Sequence, residues 1–225
     1  MPRAGRWIDV RYALTAAGLA CASVVLGVLA SEHDTFPGDR AVNATVRELG
    51  GAFEPVAYTF NELDGLIAVG VVAMVGGGLL MQRRLGGVAL VAAAVALRPV
   101  LNLLKPLVDR PRPTGDFPVL DVVYDSSFPS GHTMTAVTVF ALLFVFAGEL
   151  FPRRVVYVVR VAAVAGIALM ATSRMWAGVH WFSDTWGAVV WGLAMVFAVL
   201  ALQPACGELE RWLGVRRRPV ADEAG

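Results

Sequence analysis

Six stretches of this chain run for about 20 residues each with almost no charge, and the hydrocarbon core of a bilayer is the solvent that such stretches fit. They are residues 12–30, 65–81, 85–104, 132–150, 155–172 and 185–202, each bounded by charges or turn residues. Composition points the same way, because 57% of the 225 residues are apolar and only 16% are charged. An ordinary soluble domain carries more charge than that. The net charge of +1 excludes a strongly basic nucleic-acid binder, which needs a clustered Lys/Arg surface. Cys21 lies inside an apolar stretch and Cys206 beyond the end of another, so neither a disulfide framework nor a cysteine metal site is indicated.

The spacing predicts an all-α bundle of six transmembrane helices forming a single domain over residues 1–225. Two arginines interrupt the spans. Arg160 lies near a span end and can snorkel to the interface, whereas Arg98 sits deeper. With alternating spans, one side collects Arg3, Arg6, Arg11, Arg83, Arg84, Arg153, Arg154, Arg211, Arg216, Arg217 and Arg218. The other side holds Arg40, Arg47, Lys105, Arg110, Arg112 and Arg174. The positive-inside rule then places both termini in the cytoplasm, with 207–225 as a cytoplasmic tail. Segments 31–64, 105–131 and 173–184 face the extracytoplasmic side of a multi-pass inner membrane protein. A cleaved signal peptide is the competing reading of the first span, since Val28-Leu29-Ala30 resembles a cleavage site; the run is long for that, and an odd number of spans fits the charges less well.

Within 31–64, Val42, Val46, Leu49 and Phe53 recur at helical spacing, with Arg40, Asn43, Arg47 and Glu48 on other faces. An interfacial helix over 39–53 is expected, either covering the bundle or gating substrate. Glu32, His33, Asp34, Glu62 and Asp64 read as solvated loop residues rather than head-group contacts.

The ionisable groups nearest the membrane concentrate on the outer side. Lys105 is the single lysine among 19 Lys and Arg, which suggests that this position needs a compact ammonium. Lys105 and Arg112-Pro113 stand in KPLVDRPRP, Pro129-Ser130-Gly131-His132 opens the fourth span, and Ser173-Arg174 precedes His180 and Asp184. Lys105, Arg112 and Arg174 are three cations suited to phosphate oxygens. Ser130 can cap the fourth helix, leaving the Ser130, Gly131 and His132 N–H groups to face an anion. His180 and Asp184, spaced i, i+4, allow the carboxylate to hold one imidazole nitrogen and leave the other as a nucleophile. His132, on a different helix, is free to act as the acid.

These clusters satisfy KxxxxxxRP, PSGH and SRxxxxxHxxxD at all eleven fixed positions, and in this the chain resembles the type 2 phosphatidic acid phosphatase superfamily, whose core is shared with vanadate-dependent haloperoxidases. The motifs lie in residues 105–184. The resemblance implies hydrolysis of a lipid phosphate or diphosphate without metal or other cofactor. His180 would attack phosphorus, Asp184 would orient it, and His132 would protonate the leaving oxygen and then activate water. Lys105, Arg112, Ser130, Gly131 and Arg174 would hold the phosphate.

Arg98 and Asn102 fall on the face of the third span that carries Lys105, and so could stand behind the site or touch a second phosphate. An interhelical contact is the simpler explanation, since Pro99 can kink the helix there. By family analogy a polyprenyl diphosphate is the favoured substrate, followed by phosphatidylglycerol phosphate and phosphatidic acid. Two other classes remain open: a haem or quinone protein using His132 and His180, and a non-catalytic lipid-binding or transport protein. The expected partners are a lipid phosphate and the bilayer, not nucleic acid.

Overall fold

The computed structural model describes residues 7–62, 64–99, 105–113, 126–212 and 214. Among them there are helices and turns but no strand. The helices are α1 (Val10–Glu32), α2 (Asp39–Arg47), α3 (Glu54–Glu62), α4 (Asp64–Met81), α5 (Leu85–Leu97), α6 (Lys105–Val108), α7 (Gly131–Leu150), α8 (Arg153–Trp176), α9 (Phe182–Leu200) and α10 (Gln203–Trp212).

Five stretches have the length and hydropathy to cross a membrane: α1, α4, α7, α8, and α9 with its continuation into α10. The third apolar run differs from expectation. Its described helix, α5, has 13 residues and ends at Leu97. At 1.5 Å per residue that is about 20 Å, short of a hydrocarbon core of about 30 Å. Residues 100–104, including Asn102, lie outside the described residues.

Helix α7 is the centre of the bundle and packs against α4, α5, α8 and α9. Its Leu142, Leu143 and Phe146 interlock with Val75 and Leu79 of α4 and with Leu90, Val91 and Ala94 of α5. In lipid such burial removes no water, so shape fit and close approach hold the helices together. Gly187 of α9 illustrates this, because a Cβ there would collide with the ring of Phe128, the residue that leads into the turn before α7. Leu14, Val24, Leu66, Val69, Val158 and Val164 are exposed on the outer faces of α1, α4 and α8, as lipid-facing side chains must be.

The start of α1 meets the end of α9 at one end of the bundle, where Asp9 N–H donates to the Ala201 carbonyl at 2.9 Å. There α10 turns back onto α5, and Glu210 accepts the Gly86 N–H at 2.6 Å, satisfying a donor at the start of α5. Residues 207–212 thus belong to α10. The ends of α1, α5 and α8 and the starts of α4, α7 and α9 gather at the opposite end, under α2, α3 and α6.

The expected helix over 39–53 stops at Arg47, and a 3-10 turn at Gly50–Ala52 leads into a second helix, α3. The face of α2 that turns inward is its polar one. Asp39 and Asn43, at i, i+4, are buried, while Val42 and Val46 are only half-buried. The apolar spacing identified the helix but not its buried face, because the bundle end beneath it is itself polar.

Candidate active site

The three motifs converge although they come from separate elements. Lys105 opens α6, Arg112 follows it, Ser130 caps α7, Arg174 stands in the last turn of α8, His180 occupies the turn between α8 and α9, and Asp184 lies in the first turn of α9. Lys105, Ser130, Arg174, His180 and Asp184 are all buried.

Asp184 is the hub. Its Oδ1 accepts from Arg110 Nη1 at 2.5 Å and its Oδ2 from the Trp181 N–H at 2.8 Å, the latter closing the first turn of α9. His180 Nδ1 lies 3.6 Å from the same Oδ2. That is too long for a hydrogen bond, but a small tilt of the ring closes it, and catalytic contacts commonly tighten on loading. His180 Nδ1 has no hydrogen-bond partner among the described residues, and neither does the buried Nε of Arg174. Burial, reinforced by Arg174, Arg112, Lys105 and His132, holds the His180 imidazole well below its usual pKa. The ring is neutral at pH 7, which is the state a nitrogen nucleophile requires.

Burial, with Arg112 and Arg174 adding to it and Asp184 opposing, brings Lys105 down to about 8. Arg112 has two tasks, since Nη1 donates to the Val179 carbonyl at 2.7 Å and Nη2 to the Ser126 carbonyl at 3.2 Å. Both bonds tie the motif segments together. Arg174 is held from above by Nη1 donating to Asn61 Oδ1 of α3.

The turn before α7 contains a cis Phe128–Pro129 peptide. Ser130 Oγ accepts from the Thr133 N–H at 3.5 Å, the cap that the sequence predicts, and from Thr133 Oγ1 at 3.0 Å. One expectation is corrected: the Ser130 N–H does not face an anion, because it donates to the Asp184 carbonyl at 3.2 Å and so joins the starts of α7 and α9. The N–H groups of Gly131 and His132 open the helix, where no intrahelical acceptor exists. In front of Gly131 there is room, since an added Cβ meets nothing within 4 Å. Gly131→Ala is expected to leave thermal stability intact or slightly raised, alanine being the better helix former. Its methyl group would fill the space a ligand oxygen needs, so affinity for orthovanadate should drop by about tenfold or more. Unchanged vanadate affinity would remove Gly131 from the binding surface.

Asp64 does not belong with the solvated loop residues. Its Oδ2 lies 3.5 Å from His132 Nε2, close enough to act on that ring nitrogen electrostatically. Arg98 is exposed at the end of α5, within electrostatic reach of His132. Trp181 Nε1 donates to the Pro111 carbonyl at 3.1 Å, and Trp176 packs edge-on against Phe53 of the outer segment. The sequence reading missed Asp39, Asn43, Asn61 and Arg110. The i, i+4 spacing of Asp39 and Asn43 was the available signal, and Arg110 was counted among the outer cations without being given a role in the site.

The sequence pattern of the PAP2 superfamily matches residues 87–208, more than half of the chain. The chain belongs to the PAP2 superfamily. Phosphatidylglycerophosphatase B of Bacillus subtilis (strain 168) is 30% identical to it over 135 residues, 57% of this chain and 64% of that relative's length. The crystal structure of a transmembrane PAP2 type phosphatidylglycerolphosphate phosphatase from Bacillus subtilis superimposes with a TM-score of 0.66 at 21% identity, covering 90% of this chain and 98% of that one. At that identity the likeness is one of fold. The PAP2 match takes in all three motifs but leaves residues 31–64 outside it.

Proposed function

We propose that this PAP2 chain hydrolyses the phosphate of a membrane lipid through a phosphohistidine intermediate. The observation that carries the reading is a buried neutral imidazole set between the Asp184 carboxylate and three buried or half-buried cations. His180 Nε2 attacks phosphorus, a new N–P bond forms, and the P–O bond to the lipid breaks. His132 gives its proton to the departing oxygen. Water then attacks phosphorus, His132 takes the proton back, and the N–P bond breaks to release inorganic phosphate. Asp184 balances the charge that grows on His180, and Lys105, Arg112, Arg174 and the Gly131 N–H balance the phosphoryl oxygens. These cations supply the charge that a divalent metal supplies in other phosphatases.

The named relative favours phosphatidylglycerol phosphate as substrate, whereas the sequence reading placed a polyprenyl diphosphate first. A cavity of about 470 Å³ beside the site, lined by Arg40, Arg47, Arg112 and Trp181, leaves room for an anionic head group beyond the scissile phosphate. For orientation, the charge distribution supports six spans, with the apolar run that contains α5 as the third, both termini in the cytoplasm and the site on the outer face.

The test is phosphate release by detergent-purified protein in EDTA from phosphatidylglycerol phosphate, polyprenyl diphosphate and phosphatidic acid. Turnover without metal, with kcat/KM highest for phosphatidylglycerol phosphate, is the expected result. A higher value for the diphosphate would reverse the substrate order. Binding of all three with no release would make the chain a lipid-binding protein instead.

A further inference from the structure

The segment between α1 and α4 lies outside the family match, yet its polar side chains grip the turn that carries His180 and Asp184. Asn43 Nδ2 donates to the His180 carbonyl at 2.9 Å, and Asn43 Oδ1 accepts the Phe182 N–H at 3.0 Å. Asp39 Oδ1 accepts the Ser183 N–H at 2.8 Å, and its Oδ2 accepts the Ser183 hydroxyl at 2.8 Å. All four bonds fall on residues 180–183, the stretch that ends at Asp184. The first turn of α9 is already closed locally by Asp184 and Trp181, so the outer bonds are not needed to start that helix.

Arg110 completes the arrangement. Its guanidinium is fully buried between two carboxylates, with Nη2 on Asp39 Oδ2 at 2.8 Å and Nη1 on Asp184 Oδ1 at 2.5 Å. Nε donates to the Asp34 carbonyl at 3.2 Å, and the plane stacks on Phe36 at 4.8 Å. An arginine facing a single carboxylate tends to take both oxygens with its two arms. Here Asp39 occupies the second arm. Arg110 therefore grips Asp184 through Oδ1 alone, and Oδ2 stays available to His180 Nδ1.

We propose that Asp39, Asn43 and Arg110 are positioning residues for the His180–Asp184 pair: Asn43 fixes the His180 backbone, and Asp39 keeps Arg110 from taking both oxygens of Asp184. This deepens the phosphohistidine reading and rests on it. The three residues touch neither phosphate nor the phosphate-binding cations by any bond above, so they act on the chemical step and not on binding.

The test compares wild type with Asp39→Asn, Asn43→Ala, Arg110→Lys, Arg110→Gln and, on the exposed face of α2, Thr45→Ala. Three readouts are taken: kcat and KM on phosphatidylglycerol phosphate, vanadate affinity, and the imidazole nitrogen resonances of protein labelled with 15N-histidine, which has only His33, His132 and His180 to assign. Asp39→Asn and Asn43→Ala are expected to lower kcat by about 10²-fold, the cost of misplacing a reacting group by about 1 Å, with KM and vanadate affinity within about twofold of wild type. Arg110→Lys should retain more kcat than Arg110→Gln, and Thr45→Ala should match wild type. Only the His180 resonances should move in the Asp39 and Asn43 variants. Wild-type kcat in both variants would overturn the inference, as would kcat, vanadate affinity and melting temperature falling together. Should Arg110→Gln fail to fold, Asn43→Ala decides alone, because it removes two hydrogen bonds and no charge. Absence of phosphate release by wild type would defeat the functional reading, and the resonances would still decide this one: no shift at His180 rejects it.

Discussion

His180→Ala is expected to reduce phosphate release to background, and Asp184→Asn to lower kcat by about 10⁴-fold. Removing a nucleophile costs on the order of 10⁶-fold, and removing the carboxylate that orients it about two powers of ten less. The smaller effect is the more informative. Asparagine at 184 still accepts the Arg110 hydrogen bond but no longer opposes the charge that develops on His180, so fold and phosphate binding should survive while turnover does not. A loss of 10⁴-fold corresponds to about 5.5 kcal/mol of transition-state stabilisation. Single-turnover kinetics with labelled lipid, quenched in alkali so that the acid-labile, base-stable phosphohistidine survives, checks both variants. Label retained on His180→Ala would move the nucleophile to another residue.

The second large effect belongs to the cations. Arg174→Gln is expected to lower kcat/KM by about 10³-fold, because on the proposed mechanism this buried guanidinium balances charge on the phosphoryl oxygens. Lys105 adds a pH signature. With its pKa brought down to about 8 by burial and by Arg112 and Arg174, against the pull of Asp184, it is charged below pH 8 and neutral above. Phosphate binding needs the charged form, so kcat/KM should decline above pH 8 by about tenfold per unit. Arg174→Gln removes one of the neighbouring positive charges, and the alkaline limb should then move to higher pH. Lys105→Arg should abolish the limb while preserving part of the activity. A pH profile of Lys105→Arg identical to that of wild type would assign the limb to another group.

Structural support for the site is tested by the smaller effects at Gly131, Asp39 and Asn43. Together they separate three contributions: room for the phosphate, the charge around it, and the aim of the imidazole. The two largest effects come from residues inside the family motifs, whereas Asp39 and Asn43 lie outside the family match.

Local chemistry made much of this protein legible in advance. The apolar runs dictated helices, because a span has to satisfy its own backbone. That His180 and Asp184 lie close together could be read from i, i+4 spacing, and the cap at Ser130 from the turn that precedes α7, since both are local to one turn of chain. Lys105, Arg112 and Arg174 stood out because cations beside apolar spans are few. What spacing could not give was the use of each polar group. The Ser130 N–H looked available and is taken by the Asp184 carbonyl, and Asp64 looked solvated and faces His132.

The larger gap is in the outer segment. Asn43 meets His180 across 137 residues of sequence, Asp39 meets Ser183 across 144, Asn61 meets Arg174 across 113, and Arg110 meets Asp184 across 74. No periodicity reports such pairs, because they exist only once α7, α8 and α9 have packed and brought their ends under α2 and α3. The sequence by itself determined that the chain enters a membrane as helices and that it carries a phosphate-handling motif, both being properties of residue type and short spacing. Which face of α2 turns inward, and which oxygen of Asp184 remains for the histidine, only the packed bundle decided, because a buried carboxylate takes whatever donors the tertiary structure brings within hydrogen-bonding distance.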